Sequence, residues 1–448
     1  MSSNSQVNLH RSPLKPQAAA PKVPTAFEDL KIPRTVLENL LIKLLSAYPK
    51  SNLLQLTNAI SISSHMVEIL LEDLRRKSLV EVFQGELGGN YKESGNVRYG
   101  LSESGSQEAD VAFAKDAYLG PAPVSLDEYN RIVRQQDVRA HQVTRIDVTH
   151  ALQEVYGADR LIPVLGPAIN SGRALLLYGD AGTGKTFVAT RVLNSLNTSV
   201  YIPYAVYAAG NIIKVFSPQH HKPVDSGESQ QSFSFKDQYD KRWVLCERPS
   251  VQVGGELTMS MLEVNHTEHN RVWIAPLQMM ANNGILIIDD LGRQTMPVAT
   301  LLNRWIIPME YFFDNLSLPN GQQITIPFIL TLAFSTNLSP ELIADPAFLR
   351  RLGYKIQFHP LAHADYQALW EKIAAQRSLS LDMSAFETLL RLHRQHKVGF
   401  YPCLPKDLVG ISRDIVAFEE AEPVITPAVL ERAWEVYFTS DGNGGGKR

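Results

Sequence analysis

"GDAGTGKT", Gly179 to Thr186, follows the apolar run "ALLLY" and precedes "FVATRVLNSL", so a Gly-rich turn sits between a strand-like and a helix-like segment. The pattern GxxxxGK[ST] in that setting reads as a phosphate-binding loop. Gly182 and Gly184 let the backbone curl until its N–H groups point inward at phosphate oxygens, and the helix N-terminus adds partial positive charge. Lys185 is placed to reach the β- and γ-phosphates and Thr186 to offer its hydroxyl to Mg²⁺. Gly179, Asp180, Ala181 and Thr183 complete the loop. The expected ligands are a nucleoside triphosphate and Mg²⁺.

A second stretch, "GILIIDDLG" (284 to 292), is an apolar run that ends in two carboxylates. A buried strand that finishes beside a phosphate loop needs an acid to hold Mg²⁺ through water, and Asp289 takes that place. Asp290 has two readings. It either polarises the attacking water or only caps the "DDLGR" turn and pairs with Arg293. The runs "ALLLYG", "SVYIPYAV", "GILIIDD" and "FILTLAFST" are short and unalternating, as strands covered on both faces should be, and together predict a parallel α/β sheet over residues 148 to 360. Between the second and third lies an insertion, about 206 to 275, whose Gly254 and Gly255 are either an ordinary hairpin turn or part of a client-contacting element.

With these motifs, residues 148 to 438 resemble AAA+ ATPases. The resemblance implies ATP as the nucleotide, hydrolysis of its β-γ phosphoanhydride, and a homo-oligomeric ring, hexameric in the family. It implies that Asn337, at the end of "LAFSTN", is sensor 1, touching the γ-phosphate and the attacking water. It implies that Arg350 or Arg351 in "DPAFLRRLGYKI" is an arginine finger reaching the next subunit; the sequence does not choose between them. Family members usually carry Asp-Glu where this chain has Asp289-Asp290, so the shorter Asp290 puts a fast water-activation step in doubt. Residues 361 to 440 read as a four-helix lid with starts near Ala364, Ser384, Lys406 and Thr426. Where the family has a sensor 2 arginine the chain offers Lys406, a point charge without the bidentate fork. The insertion and "VWIAPLQMMANNGILIIDD" look most like the MoxR-like branch, bacterial ATPases with chaperone-type remodelling activity.

Ahead of this core, "TVLENLLIKLLSAY", "NLLQLTNAI" and "SISSHMVEILLEDLRRKSL" read as three helices, the last capped by Ser63 or Ser64. They are followed by "LVEVF" and "VRYGLS" as a hairpin with a Gly-rich tip. Residues 25 to 118 therefore resemble a winged helix-turn-helix, separable from the core through a linker at 119 to 147. Its third helix carries Glu68, Glu72 and Asp73 early and Arg75, Arg76 and Lys77 late. Early acids face DNA phosphates unfavourably, which weights protein contact or self-regulation over DNA while leaving both open. Residues 1 to 24 and 441 to 448 read as disordered tails.

The chain has 43 Lys and Arg against 46 Asp and Glu, so no general basic field draws it to nucleic acid. Cys246 and Cys403 lack metal-ligand spacing and read as buried thiols of a reduced, cytoplasmic protein. No apolar stretch approaches the roughly 20 residues of a membrane span. The pairs His266/His269 and His393/His396 lack a third ligand, and His220 and His221 fall in a polar loop expected to be solvated. The sequence thus predicts an ATPase that remodels a protein client. Two other classes stay open: a DNA-associated regulator, and a nucleotide switch with little hydrolysis.

Overall fold

The computed structural model describes residues 15–16, 18–84, 97–140, 142–224, 239–267 and 271–438. The expected tails at 1–14 and 439–448, the hairpin tip at 85–96, much of the polar insertion at 225–238 and His269 lie outside them. The chain forms two compact units. The first is Met1–Gln142, Leu196–Ile287 and Gln294–Leu332; the second is Val143–Ser195, Ile288–Arg293 and Ala333–Arg448.

After the short helix Phe27–Leu30, the first unit carries helices Arg34–Ala47, Leu53–Ile60 and Ser64–Arg76. Asn52 caps the second of these three through a reciprocal bond with Gln55, and Ser63 caps the third, accepting from the Met66 N–H. The apolar stripe of the third helix, Met66, Val67, Leu70, Leu71 and Leu74, is buried. Val97–Leu101 lies between Ser51–Asn52 and Val80–Gln84 in an antiparallel sheet, and helix Glu103–Lys115 follows.

This region is not separable as the sequence predicts. Its core of Leu37, Leu41, Ile60 and Leu70 is continuous with Ala205 and Ile212 of the insertion, and the Ile60 carbonyl accepts from the Ala122 N–H at 2.7 Å. The expected linker is itself structural. Val124–Ser125 pairs with Ala205–Ala208, and Ser125 caps helix Leu126–Gln135, whose Tyr129, Ile132 and Val133 are buried. Buried Gln136 accepts from the Tyr201 N–H at 2.6 Å and donates to the Tyr201 carbonyl and Asn283. A polar sequence pattern reads as a loose connector, yet here the polar atoms are matched inside.

Three further expectations are corrected. Thr198–Pro203 is not in the parallel sheet; it pairs with antiparallel Trp243–Glu247 on one side and Lys15–Pro16 on the other. Residues 18–24 of the expected disordered tail carry buried Pro21 and Pro24, and the Pro21 carbonyl accepts from the Asp240 N–H. His221, expected in solvent, is fully buried. Its Nδ1 accepts from the Ser217 N–H at 2.9 Å, which leaves Nε2–H to donate to the Met280 carbonyl at 2.8 Å.

The second unit holds a parallel sheet, the loop at residues 179–186 and a C-terminal set of four helices. Strand β1 (Leu175–Tyr178) is an inner strand, one in from the edge of the sheet. Strand β2 (Ile285–Ile288) runs into this unit from the first, as does β3 (Thr331–Thr336), and β4 (Tyr354–Gln357) is the fourth. β3 pairs with β1 from Ala333 opposite Leu175, and β4 pairs with β1 from Tyr354 opposite Leu175, both parallel. All four β2 residues are buried, as a strand covered on both faces requires. The helices are His363–Gln376, Met383–His396, Cys403–Phe418 and Pro427–Phe438. The third opens at Cys403, a turn earlier than its "LPKD" signal suggests. His393 lies in their core: its Nδ1 faces the Val398 carbonyl at 3.0 Å, so Nε2 accepts from the Tyr366 hydroxyl at 2.9 Å. Its burial is structural, with Phe400 and Trp434 packed on the ring.

Among the described residues no helix is long and apolar enough to cross a membrane.

Two outcomes follow from this packing. Removing residues 1 to 120 uncovers Ala205 and Ile212, so the truncated chain should melt several degrees below the full chain by circular dichroism; an unchanged Tm would show that the two regions pack independently. His221 titrates at about 4 rather than its usual 6.5, chiefly because burial disfavours the imidazolium. Between those values the unfolded chain binds the extra proton, so stability present above pH 6.5 should fall as pH drops towards 4, by up to about 1.4 kcal/mol per unit. His221→Phe should lower the melting temperature at neutral pH and flatten that part of the pH profile.

Candidate nucleotide site

Helix Lys185–Val192 starts directly at Gly184, and the loop before it turns through three left-handed glycines. Two are fixed by close approach as well. A Cβ on Gly179 would stand 2.3 Å from the Phe358 carbonyl oxygen, and one on Gly182 would stand 2.3 Å from Cys403 Sγ. Glycine is the residue that tolerates both the positive φ and the contact.

Lys185 is 6% exposed, and its ammonium donates to the Gly179 carbonyl at 2.8 Å, the Asp180 carbonyl at 2.9 Å and Asn337 Oδ1 at 2.8 Å. Burial lowers its pKa, while Asp289, Asp290 and Asp180 oppose that shift. Beside it the Thr186 hydroxyl donates to Asp289 Oδ2 at 2.8 Å. Two motifs far apart in sequence thus meet in the second unit: the loop with the end of β2 through Thr186 and Asp289, and the loop with the end of β3 through Lys185 and Asn337. The turn after Asp289 is held against β3, because the Leu291 N–H donates to the Ser335 carbonyl and the Thr336 hydroxyl to the Leu291 carbonyl.

Asp290 has φ +49, a left-handed conformation uncommon for a residue with a side chain. Its N–H donates to Asp289 Oδ1 at 3.0 Å and its carbonyl accepts from the Arg293 N–H at 2.9 Å. The residue therefore takes part in the turn by its backbone, which leaves the role of its half-buried carboxylate a separate question.

Thr186 and Asp289 present a hydroxyl and a carboxylate at one point, the hard oxygen donors that Mg²⁺ takes. Lys185 and the glycine-lined curl suit a triphosphate. The residues present therefore fit ATP and Mg²⁺. The remaining loop residues stand where expected: Thr183 is buried with its hydroxyl on the Asp180 carbonyl, and Asp180 and Ala181 are exposed.

The structure does not bring every predicted residue to this point. Arg350 and Arg351 are exposed at the end of the short helix Pro346–Leu349, with Arg351 donating to the Ala347 carbonyl. Lys406 is exposed one turn into its helix. Instead, the start of that helix reaches the loop through residues that sequence reasoning missed. The Tyr401 hydroxyl donates to Asp180 Oδ2 at 3.0 Å, and the Cys403 N–H donates to the Gly182 carbonyl at 3.3 Å. Only the nearness of "FYPC" to Lys406 could have drawn attention to them.

A family model described as a domain of unknown function, DUF8689, matches residues 362–436, the helical part of the second unit. No curated protein matches the chain. Among solved structures the chain is similar to the RuvB Holliday junction branch migration motor of Thermotoga maritima, at 16% identity and TM-score 0.33, covering 70% of this chain and 71% of that one. It is also similar to NtrX from Brucella abortus, at 13% identity and TM-score 0.39, covering 73% and 59%.

Gly182→Ala should cost about 1–3 kcal/mol of stability, because the new methyl meets Cys403 Sγ and the backbone is left-handed. Adding Cys403→Ala should recover part of the loss in a melting experiment. Full recovery would show the backbone conformation to be unstrained, and none would show that the Sγ contact is not the obstacle.

Proposed function

We propose that this chain is a Mg²⁺-dependent AAA+ ATPase, acting as a cytoplasmic homo-oligomer that remodels a protein client. The observation that carries the reading is the double convergence on one loop: Lys185 with Asn337, and Thr186 with Asp289.

In this reading the N–H groups of Gly182 to Thr186 and the Lys185 ammonium hold the phosphates. Thr186 and Asp289 hold Mg²⁺, which when bound neutralises phosphate charge. Lys185 already satisfies three acceptors, so taking a phosphate oxygen means exchanging one of them. Asn337 is the exchangeable partner, since its amide can turn to orient a water or a γ-phosphate oxygen instead. Asp290 takes the proton of the attacking water. Aspartate is one methylene shorter than the usual glutamate, and misplacement near an ångström costs about 10²-fold, which supports slow turnover and long-lived bound states. The exposed position of Lys406 supports the same. Arg350 or Arg351 is the arginine finger that completes a neighbouring subunit's site, in a hexameric ring of MoxR-like type. Chaperone-like client contact falls to the first unit.

The winged-helix reading of residues 25 to 118 belongs to this proposal, and its charges favour protein over DNA. Glu72 lies 3.6 Å from both Arg75 and Arg76, Lys77 pairs with Glu38 at 2.7 Å, and Asp73 pairs with Arg34. The late basic cluster is thereby neutralised by its own surroundings. Salt-sensitive retention of the chain on duplex DNA would reverse this preference.

Lys185→Ala should weaken ATP binding by orders of magnitude in a titration with Mg²⁺ while leaving the fold intact, and wild-type affinity in that variant would overturn the site. Asp290→Asn, nearly isosteric, should bind ATP and lose hydrolysis, whereas Asp290→Glu should hold or raise the rate. Unchanged phosphate release in Asp290→Asn would reduce Asp290 to its backbone role in the turn.

A further inference from the structure

The segment Gly399 to Cys403 joins the second and third C-terminal helices, and its contacts run in two directions within the second unit. Inward, Phe400 stacks on Tyr366 with ring centroids 4.9 Å apart and meets His393 at 5.0 Å, and its carbonyl accepts from the Leu361 N–H. That anchors the segment in the helical core. Towards the phosphate loop, Tyr401 and Cys403 make the two hydrogen bonds described above, to the Asp180 carboxylate and to the Gly182 carbonyl. Tyr401 Cβ also borders the space that a side chain on Gly182 would take.

These contacts act on the loop's conformation and touch none of the groups assigned to phosphate. Asp180 is gripped twice: its carboxylate by Tyr401, and its carbonyl by Lys185 and Thr183. With the carbonyls of Asp180 and Gly182 engaged by protein donors, the backbone between them is held in one conformation of the curl. A Gly-rich loop has many alternative backbone conformations to lose on binding, so an element that holds the curl in advance lowers that cost.

We infer that Tyr401 is a positioning residue for the phosphate loop, the tip of a strap by which the C-terminal helices keep residues 179 to 184 in their phosphate-ready curl. The inference rests on the ATP-binding reading for its effect on affinity, but the ordering of the loop is independent of any nucleotide.

Tyr401→Phe removes one hydroxyl and keeps the packing. In the full chain it should weaken Mg-ATP binding, and raise KM, about three- to tenfold, the scale of one hydrogen bond, with kcat changed by less than twofold. Asp180→Ala should lose a similar factor, and the double variant no more than either single one, as expected for two groups acting through one bond. Amide hydrogen exchange at residues 179 to 184 of the nucleotide-free protein should quicken in Tyr401→Phe while the core strands keep their protection. Wild-type affinity and wild-type exchange in Tyr401→Phe, or additive losses in the double variant, would overturn the strap. If the wild-type chain binds no ATP, the functional reading fails, and the exchange experiment alone then decides: faster exchange in Tyr401→Phe upholds the strap, and unchanged exchange removes it.

Discussion

An ammonium group taken out of water has to find all of its hydrogen-bond partners in the protein, and Lys185 finds them in Gly179, Asp180 and Asn337. Much of the second unit follows from that requirement. Two of the acceptors are carbonyls of the loop itself, so the curl and the buried charge sustain each other. The third stands at the end of β3, which ties the loop to the sheet at one defined height. Because β3 is paired in register with β1 from Ala333, the height of Asn337 is set by the sheet. Burial lowers the pKa of Lys185, and Asp289, Asp290 and Asp180 supply a negative field that opposes that shift.

The same economy explains why β2 ends on two carboxylates. Four fully buried aliphatic residues carry the chain through the sheet, and the strand ends where the Thr186 hydroxyl is waiting. Asp289 spends one oxygen on Thr186 and the other on the Asp290 N–H. The second contact closes the turn that puts Asp290 in its left-handed conformation. Residues held in such sparsely populated backbone regions concentrate at functional sites, because the surroundings must over-determine them. Here the Leu291 and Thr336 bonds to the neighbouring strand do so.

In the first unit, buried polar groups do comparable work. Asn283 donates to the Val133 carbonyl and accepts from Gln136, while Asn282 donates to the Tyr129 hydroxyl and to the Pro327 carbonyl. These two asparagines lie just before β2, so helix Leu126–Gln135 is bound to the start of that strand within the first unit. Hydrophobic packing alone would let that helix slide, whereas satisfied amides fix its register. That is why a segment with the composition of a linker behaves as part of the core.

What the sequence determined by itself was whatever a short segment must do on its own account. The phosphate loop was legible because three glycines, a lysine and a threonine at fixed spacing answer steric and electrostatic demands that are local. Asp289 was legible because it ends an apolar run, Asn337 only through the resemblance that puts a polar residue at the end of the next strand, and the apolar stripe of Ser64–Arg76 because helical periodicity is an intrinsic signal. What tertiary structure decided was partnership. Thr198–Pro203 is apolar enough for either sheet, and the availability of Trp243–Glu247 placed it in the other one. His221 reads as a solvated loop residue until the Met280 carbonyl, 59 residues on, encloses it. Tyr401 meets Asp180 across 221 residues, a contact that no spacing encodes. A hydrogen bond between distant segments depends on where the whole chain brings its donors and acceptors, and that is settled only when the cores that carry them have formed.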